Sequence, residues 1–269
     1  MNTANRIQLA VFDWAGTTVD YGSSAPMVVF EEIFRNVGIA LTRAQINGPM
    51  GMEKKAHIRS LLSLASASEQ WNAEYGRSWN EEDVTALYEQ FEARLAQVVA
   101  EYSKPIAGVV ETMEQLRKMG VKIGSTTGYN AEMMQHVIPA ASAAGYTPDC
   151  VITPDVTGLG RPTPFMLFAC MRQMNVYPVT SVVKIGDTIA DILEGKNAGA
   201  WSIGILTGSN LLGLTQEEYD TMHPDELAQR KCETAKKYME AGADMVIDSI
   251  RELPEAITAL NMRMTGIRE

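Results

Sequence analysis

The sequence predicts an α/β fold: a doubly wound parallel sheet whose first strand is separated from the others by an all-helical insertion. Three observations carry that reading. Short apolar runs alternate with helical periodicity between residues 121 and 260, as successive βαβ units demand. A helical texture runs from Pro26 to about Tyr102. Two apolar runs, Ile7–Asp13 (IQLAVFD) and Ser181–Gly186 (SVVKIG, followed by Asp187), each lead into an acid.

Taken in order, Ile7–Asp13 is a continuous apolar run, the pattern of a strand buried on both faces. Within the helical block, Val28, Val29, Ile33 and Val37 recur at helical spacing, as do Ile58, Leu61 and Leu62. A third set, Val84, Leu87, Phe91 and Leu95, opens after Asn80 with acids at 81–83, a capping signal. Ser103–Gly108 (SKPIAG) reads as a hinge-like loop. Val121–Thr126 then predicts a strand, with a helix through Met133, Val137 and Ala141. Cys150–Ile152 predicts a strand and Thr163–Met174 a helix; Ser181–Gly186 a strand and Ile189–Ala198 a helix; Trp201–Ile205 a strand. Met245–Ile247 and Ile250–Leu260 make the last pair, and the charged run Asp225–Lys237 reads as a solvated helix. The outcome is a Rossmann-like core of residues 1–20 and 103–269, with residues 21–102 as a helical cap domain over the strand C-termini, where such sheets bind ligands.

The 269 residues, 46% hydrophobic, suffice for one large domain or two smaller ones. A charged fraction of 21%, with 21 Gly and 11 Pro, excludes wholesale disorder. No apolar run approaches the roughly 18 residues of a membrane helix, and the opening MNTANRIQLAVFD lacks a leader pattern. Cys150, Cys170 and Cys232 have neither disulfide-framework nor zinc-site spacing, so a reduced, cytoplasmic enzyme is expected. Lys plus Arg total 23 against 33 Asp plus Glu, a net charge of −10, which argues against general nucleic-acid binding. An anionic ligand would need local cations or a metal to overcome that field.

Four motifs carry chemistry. Asp13-Trp14-Ala15-Gly16-Thr17-Thr18-Val19-Asp20 sets a carboxylate at a strand end beside exposed N–H groups able to cradle a phosphate-like anion, although an Asp there also caps turns. Gly186-Asp187-Thr188-Ile189-Ala190-Asp191 sets two acids at i and i+4, fit for a Mg2+ site shared with Asp13. N-capping explains Asp187 alone, not the matching acid on another strand. Ser125-Thr126-Thr127-Gly128-Tyr129 offers hydroxyls and an N–H to phosphoryl oxygens, or an ordinary Ser/Thr turn. Arg161, in Gly160-Arg161-Pro162, is either the required cation or a surface residue. In the insertion, Pro49-Met50-Gly51-Met52-Glu53-Lys54-Lys55-Ala56-His57-Ile58 opens a helix with Lys54 and His57 on one face. A lysine desolvated under a lid can form a Schiff base with a carbonyl. A solvated helix face is the plainer reading, and spacing does not choose between Lys54 and Lys55. His136 and His223 read as surface or capping residues, and the 16 Met mostly as helix-face filling.

The ordered set of strand-end Asp, Thr, cation and Gly-Asp-x-x-x-Asp resembles the haloacid dehalogenase superfamily over residues 5–20 and 103–260. The resemblance implies that Asp13 is nucleophile and metal ligand, Thr127 binds phosphoryl oxygens, Arg161 is the family's cation, Asp187 ligates Mg2+, and Asp191 acts through water. One departure stands out. The position two after the nucleophile, an acid in the superfamily's phosphatases, is Ala15. Its carbonyl can still ligate the metal, but it cannot protonate an oxygen leaving group. Asp-Trp-Ala-Gly-Thr-Thr-Val-Asp-Tyr-Gly, Met-Gly-x-x-Lys-x-x-His, Ser-Thr-Thr-Gly-Tyr and Gly-Arg-Pro together are similar to the phosphonoacetaldehyde hydrolase (phosphonatase) family. That likeness implies a cytoplasmic, homodimeric, Mg2+-dependent enzyme hydrolysing the C–P bond of a small phosphonate, phosphonoacetaldehyde. Lys54 would be its Schiff-base lysine; Met50, His57, Gly128 and Tyr129 would contact substrate; the metal would sit on Asp13, the Ala15 carbonyl and Asp187. His57 is also a candidate to activate the hydrolytic water. Two alternatives stay open: a phosphomonoester phosphatase or phosphomutase, disfavoured by Ala15, and a non-catalytic binder of phosphorylated ligands, disfavoured by Asp13 and Asp187.

Overall fold

The computed structural model describes residues 6–50 and 52–266. Residues 1–5, part of the stretch read for a leader, and Gly51 of the cap motif lie outside it. Strand β1 (Leu9–Phe12) is buried at all four residues, which is why four successive apolar side chains fit there. A 3-10 turn (Tyr21–Ser23) then feeds a run of helices: α1 (Ser24–Asn36), α2 (Arg43–Asn47), α3 (Lys54–Leu62), α4 (Ala65–Tyr75) and α5 (Glu81–Tyr102). The chain continues with α6 (Val109–Lys118), β2 (Lys122–Thr126), α7 (Ala131–Ala143), β3 (Cys150–Ile152), α8 (Pro154–Thr157) and α9 (Phe165–Met174). It closes with β4 (Val182–Gly186), α10 (Ile189–Ala198), β5 (Trp201–Ile205), α11 (Gln216–Thr221), α12 (Pro224–Glu240), β6 (Met245–Ile247) and α13 (Leu253–Thr265).

The six strands form one sheet in the order β3-β2-β1-β4-β5-β6, every pair parallel. This is the expected doubly wound core with an inserted helical cap. The chain builds outward from β1 through β2 to β3, then crosses back to start β4 on the other side of β1. The order therefore reverses between β1 and β4, the switch point where such sheets leave a crevice beyond their carboxyl ends. Register fixes what stands there: Phe12 pairs with Ser125 and with Ile185. The chain segments leaving β1, β2 and β4 therefore emerge side by side.

The insertion packs through helical stripes. In α5, Asn80 forms a capping box with Asp83, and Val84, Leu87, Phe91 and Leu95 are buried, with Val99 extending the stripe. Phe30 of α1 stacks on Phe91 with ring centroids 4.4 Å apart. One apolar cluster joins the sheet (Phe12, Ile123, Ile185) to the insertion (Phe30, Leu61, Phe91), so the cap is docked. Several expectations need correction. Val28 is 43% exposed, because the buried stripe of α1 is set by Val29, Phe30, Ile33 and Phe34, opposite Val28 on the wheel. Val37 is the C-cap of α1 rather than part of its face. The first strand is shorter than Ile7–Asp13, and the Thr163 helix starts at Phe165 because Pro164 takes the N-cap place. Ile250 opens a 3-10 turn (Ile250–Glu252), with α13 following. Helix α6, between the hinge-like loop and β2, was not foreseen. No described helix is long and apolar enough to cross a membrane.

Candidate active site

The site begins at the ends of β1 and β4. The Asp13 N–H donates to the Ile185 carbonyl at 3.0 Å, continuing the ladder one residue beyond β1. The chain then folds tightly: the Thr17, Thr18 and Val19 amides all turn toward the Trp14 carbonyl. Gly16, at φ +86°, is required here, since a Cβ on it would lie 2.1 Å from Asp187 Oδ2. Asp187, the residue after β4, is held on both oxygens. Thr17 Oγ1 donates to Oδ1 at 2.9 Å, and the Asn210 N–H donates to Oδ2 at 2.8 Å. Thr188 caps α10 and forms a capping box with Asp191, fixing the second acid of the motif. Carboxylate oxygens of Asp13, Asp187 and Asp191 lie within 4.8 Å of one another, all buried.

A buried ion network underlies these acids. Arg161 Nη2 donates to Asp13 Oδ1 at 2.7 Å and to the Thr126 carbonyl at 2.6 Å, while its Nε donates to Glu194 Oε2 at 3.1 Å. Its Nη1 lies 2.9 Å from Asp191 Oδ1, a charge contact without hydrogen-bond alignment. Lys184, in the middle of β4, sits 3.0 Å from both Asp191 and Glu194 and donates to Thr126 Oγ1 at 2.8 Å. Four carboxylates thus face two cations. The distribution is uneven: burial raises the Asp191 carboxyl, but Arg161 and Lys184 together outweigh it and hold the group below the ordinary range. Burial, then the neighbouring Asp13 and Asp191, pushes Asp187 far up. Burial also raises Asp13, only partly offset by Arg161. The cations are thus concentrated on Asp191 and Glu194, and the three clustered acids Asp13, Asp187 and Asp191 could hold a divalent cation.

Above them lies a narrow cavity of about 20 Å3, lined from the core by Asp13, Ala15, Thr127, Gly128, Tyr129, Arg161 and Thr188. The insertion adds Ser23, Pro26, Met50 and Lys54. Lys54 is 4% exposed, and among the described residues it has no ion-pair partner. Its Nζ lies 3.8 Å from Met50 Sδ, 5.4 Å from the Tyr129 ring centroid and 5.7 Å from that of Phe30. Burial, partly offset by Asp13, brings its pKa down to about 8. Lys54 is also the first residue of α3, where the helix dipole opposes a positive charge. Lys55 turns away, its Nζ 5.0 Å from the Tyr88 ring. Of the two lysines, only Lys54 lines the cavity.

Of the expected site residues, Asp13, Ala15, Met50, Lys54, Thr127, Gly128, Tyr129 and Arg161 share the cavity wall. His57 does not. It is wholly buried, its ring 4.1 Å from that of Phe30, with Nε2–H donated to the Ile46 carbonyl at 2.9 Å. Burial, then Lys54, holds its pKa well below 6.5, so it is neutral behind the lysine. His136 is exposed, and His223 caps α12. Sequence reasoning missed several residues. Lys184 was readable as a lone charge within an apolar strand, and Glu194 as the acid one turn beyond Asp191. Ser23, held at φ 52° with its side chain over Gly16, gave no signal. Asp20, quoted in the first motif without a role of its own, caps α1 through the Ser24 and Ala25 amides, and burial pushes its carboxyl up to about 7.

Comparison with known proteins adds to this geometry. A family model described as haloacid dehalogenase-like hydrolase matches residues 7–199. The phosphonoacetaldehyde hydrolase of Bacillus cytotoxicus is 45% identical over 252 residues, 94% of this chain and 96% of its own. That of Parabacteroides distasonis is 45% identical over 259 residues, 96% of this chain and 98% of its own. The crystal structure of a phosphonoacetaldehyde hydrolase-like protein from Oleispira antarctica matches with a TM-score of 0.95 at 35% identity, covering 98% of this chain and 95% of that one. A hydrolase from Pseudomonas syringae, with a TM-score of 0.68 at 19% identity over 94% of this chain and 98% of its own, shares the fold.

Proposed function

The chain belongs to the haloacid dehalogenase-like hydrolase family, alongside phosphonoacetaldehyde hydrolases, and from that premise we propose that it hydrolyses phosphonoacetaldehyde to acetaldehyde and phosphate. The observation that carries the reading is a buried lysine amine without an ion pair, facing the same cavity as a strand-end aspartate. A C–P bond does not break to release a bare carbanion; it needs an electron sink on the adjacent carbon. An imine on Lys54 is such a sink.

The Lys54 amine adds to the aldehyde carbon and water departs. With its pKa near 8, about one-tenth of the amine is unprotonated at pH 7, against roughly one in three thousand for an ordinary lysine. Asp13 attacks phosphorus through the carboxylate oxygen that Arg161 leaves free. The C–P electron pair passes into the protonated imine, giving an enamine on Lys54 and a phosphoryl group on Asp13. The enamine takes a proton on carbon, and water releases acetaldehyde and the free amine. A second water cleaves the aspartyl-phosphate. Thr127 and the Gly128 amide would bind phosphoryl oxygens, Arg161 would offset their charge, and Met50 and Tyr129 would exclude water from the amine; all five line the cavity. Asp13, the Ala15 carbonyl and Asp187 would hold Mg2+, which neutralises phosphonate charge and orients it for attack. Ala15 agrees with a carbon leaving group, which requires no acid at that position.

Residues 21–102 serve in this reading as a cap domain that closes the pocket. We read the active form as a homodimer with the helical cap as its interface, and the three free thiols as suited to the cytoplasm. Borohydride added with phosphonoacetaldehyde is expected to inactivate the enzyme and add mass to the peptide holding Lys54. Labelling at Lys55 instead, or no labelling, overturns the imine step. A phosphate monoester assayed in parallel is expected to turn over more slowly; faster turnover would make the protein a phosphatase.

A further inference from the structure

The loop after β5 touches three parts of the molecule that must be in register for the proposed chemistry. The Gly208 carbonyl accepts the Gly22 N–H of the core-to-cap linker at 2.8 Å. The Asn210 N–H holds Asp187 Oδ2 at 2.8 Å. The Asn210 side chain, only 2% exposed, donates from Nδ2 to Asn47 Oδ1 at 2.9 Å. Asn47 is the last residue of α2 in the cap, and its carbonyl accepts the Met50 N–H at 3.0 Å. Met50 in turn touches the Lys54 amine. A continuous path thus runs from a site acid on the core, through the backbone and side chain of one asparagine, to the turn that seats the cap's lysine.

We propose that Asn210 and Asn47 are positioning residues, joined by one hydrogen bond that forms only with the cap docked and that sets Lys54 in register with the Asp13–Asp187 cluster. The inference rests on the Lys54 imine reading for its functional consequence, but the latch itself is a property of the fold. The division of labour within Asn210 is what makes it testable. Its backbone serves Asp187 and survives any side-chain replacement, whereas its side chain serves only the cap. Asn47 makes no contact with the acids.

The test compares Asn47→Ala, Asn210→Ala, the double alanine variant and Asn47→Asp. Each single alanine change is expected to lower kcat/KM for phosphonoacetaldehyde by about three- to tenfold, the usual effect of one uncharged hydrogen bond. Because both act through the same bond, the double variant is expected to fall no further. Asn47→Asp keeps the Oδ1 acceptor and is expected to stay within about twofold of the wild type. The Mg2+ concentration for half-maximal binding, read by calorimetry without substrate, is expected to be unchanged throughout. Deuterium exchange of the segment 48–58, which needs neither substrate nor metal, is expected to accelerate in the alanine variants and not in Asn47→Asp. Losses that multiply in the double variant, or exchange equal to the wild type in Asn47→Ala, overturn the latch. Failure of the wild type to trap with borohydride instead overturns the imine, and the exchange comparison still decides the latch. If Asn210→Ala fails to fold, half-buried Asn47 carries the test alone.

Discussion

Replacing Lys54 by Met is expected to make the protein more stable while removing its chemistry. Burial moves the amine from 10.5 to about 8, and the sign of the consequence is fixed by linkage. A lysine whose folded-state pKa is depressed penalises folding wherever both states are protonated, and the penalty fades as pH rises from about 8 to 10.5. The separation corresponds to about 3 kcal/mol at pH 7, falling to about 1 kcal/mol at pH 10. Methionine is unbranched and of similar reach, and the wall it would join is already Met50, Phe30 and Tyr129, so the apolar replacement fits the site. The metal-free Lys54→Met variant should therefore gain up to about 3 kcal/mol at pH 7 by urea unfolding, and noticeably less at pH 10. In a chain of this size that is a rise in Tm of about 6–12 °C at the lower pH. A variant no more stable than the wild type at pH 7 refutes the claim that this amine is buried without compensation. An equal gain at both pH values refutes the electrostatic cause and leaves only packing.

Other outcomes follow from the same geometry. Asp13→Asn is expected to abolish turnover while leaving borohydride trapping at Lys54 intact, checked by peptide mass. The trapping rate of the wild type should rise with pH about a midpoint near 8, the unprotonated amine being the nucleophile; a midpoint near 10.5 would mean an ordinary surface lysine. Gly16→Ala drives a methyl group into Asp187 and adds left-handed strain of about 1–2 kcal/mol, so Mg2+ affinity by calorimetry should fall even if the fold survives. Lys184→Met strips a cation from Asp191 and Glu194 and is expected to cost about 3–5 kcal/mol in urea unfolding.

Much of the sheet was legible because its punctuation is local. Strands Cys150–Ile152, Trp201–Ile205 and Met245–Ile247 and the helix Ile189–Ala198 fall where the sequence predicts them, bounded by turn residues and, for the helix, by the Thr188 cap. Helix α6 was passed over although Val109, Thr112, Met113 and Leu116 recur at helical spacing; the preceding Pro and Gly drew attention to a loop. What one-dimensional periodicity withholds is the direction in which a face points. Lys54 and His57 share a face, yet only one reaches the cavity, because the His57 ring is drawn back by the Ile46 carbonyl and Phe30. Lys184 disappeared into an apolar run because a strand buried on both sides still admits a charge whose partners arrive from β2 and α10. Ser23 and Asn210 owe their places to contacts across the sheet-to-cap boundary, which no local pattern encodes.

The pocket described above is strained in two opposite senses. Its floor holds more carboxylates than its arginine and lysine can pair, and its roof holds an amine that Asp13 answers only in part. A guest is therefore selected by its pattern of electron supply and demand at least as much as by its outline. Inorganic phosphate, brought in with a divalent cation, would engage the floor yet leave the roof idle, and a simple aldehyde would do the reverse. In the proposed reading, a small molecule that carries an electrophilic carbonyl and a phosphonate one methylene apart would engage the two ends together.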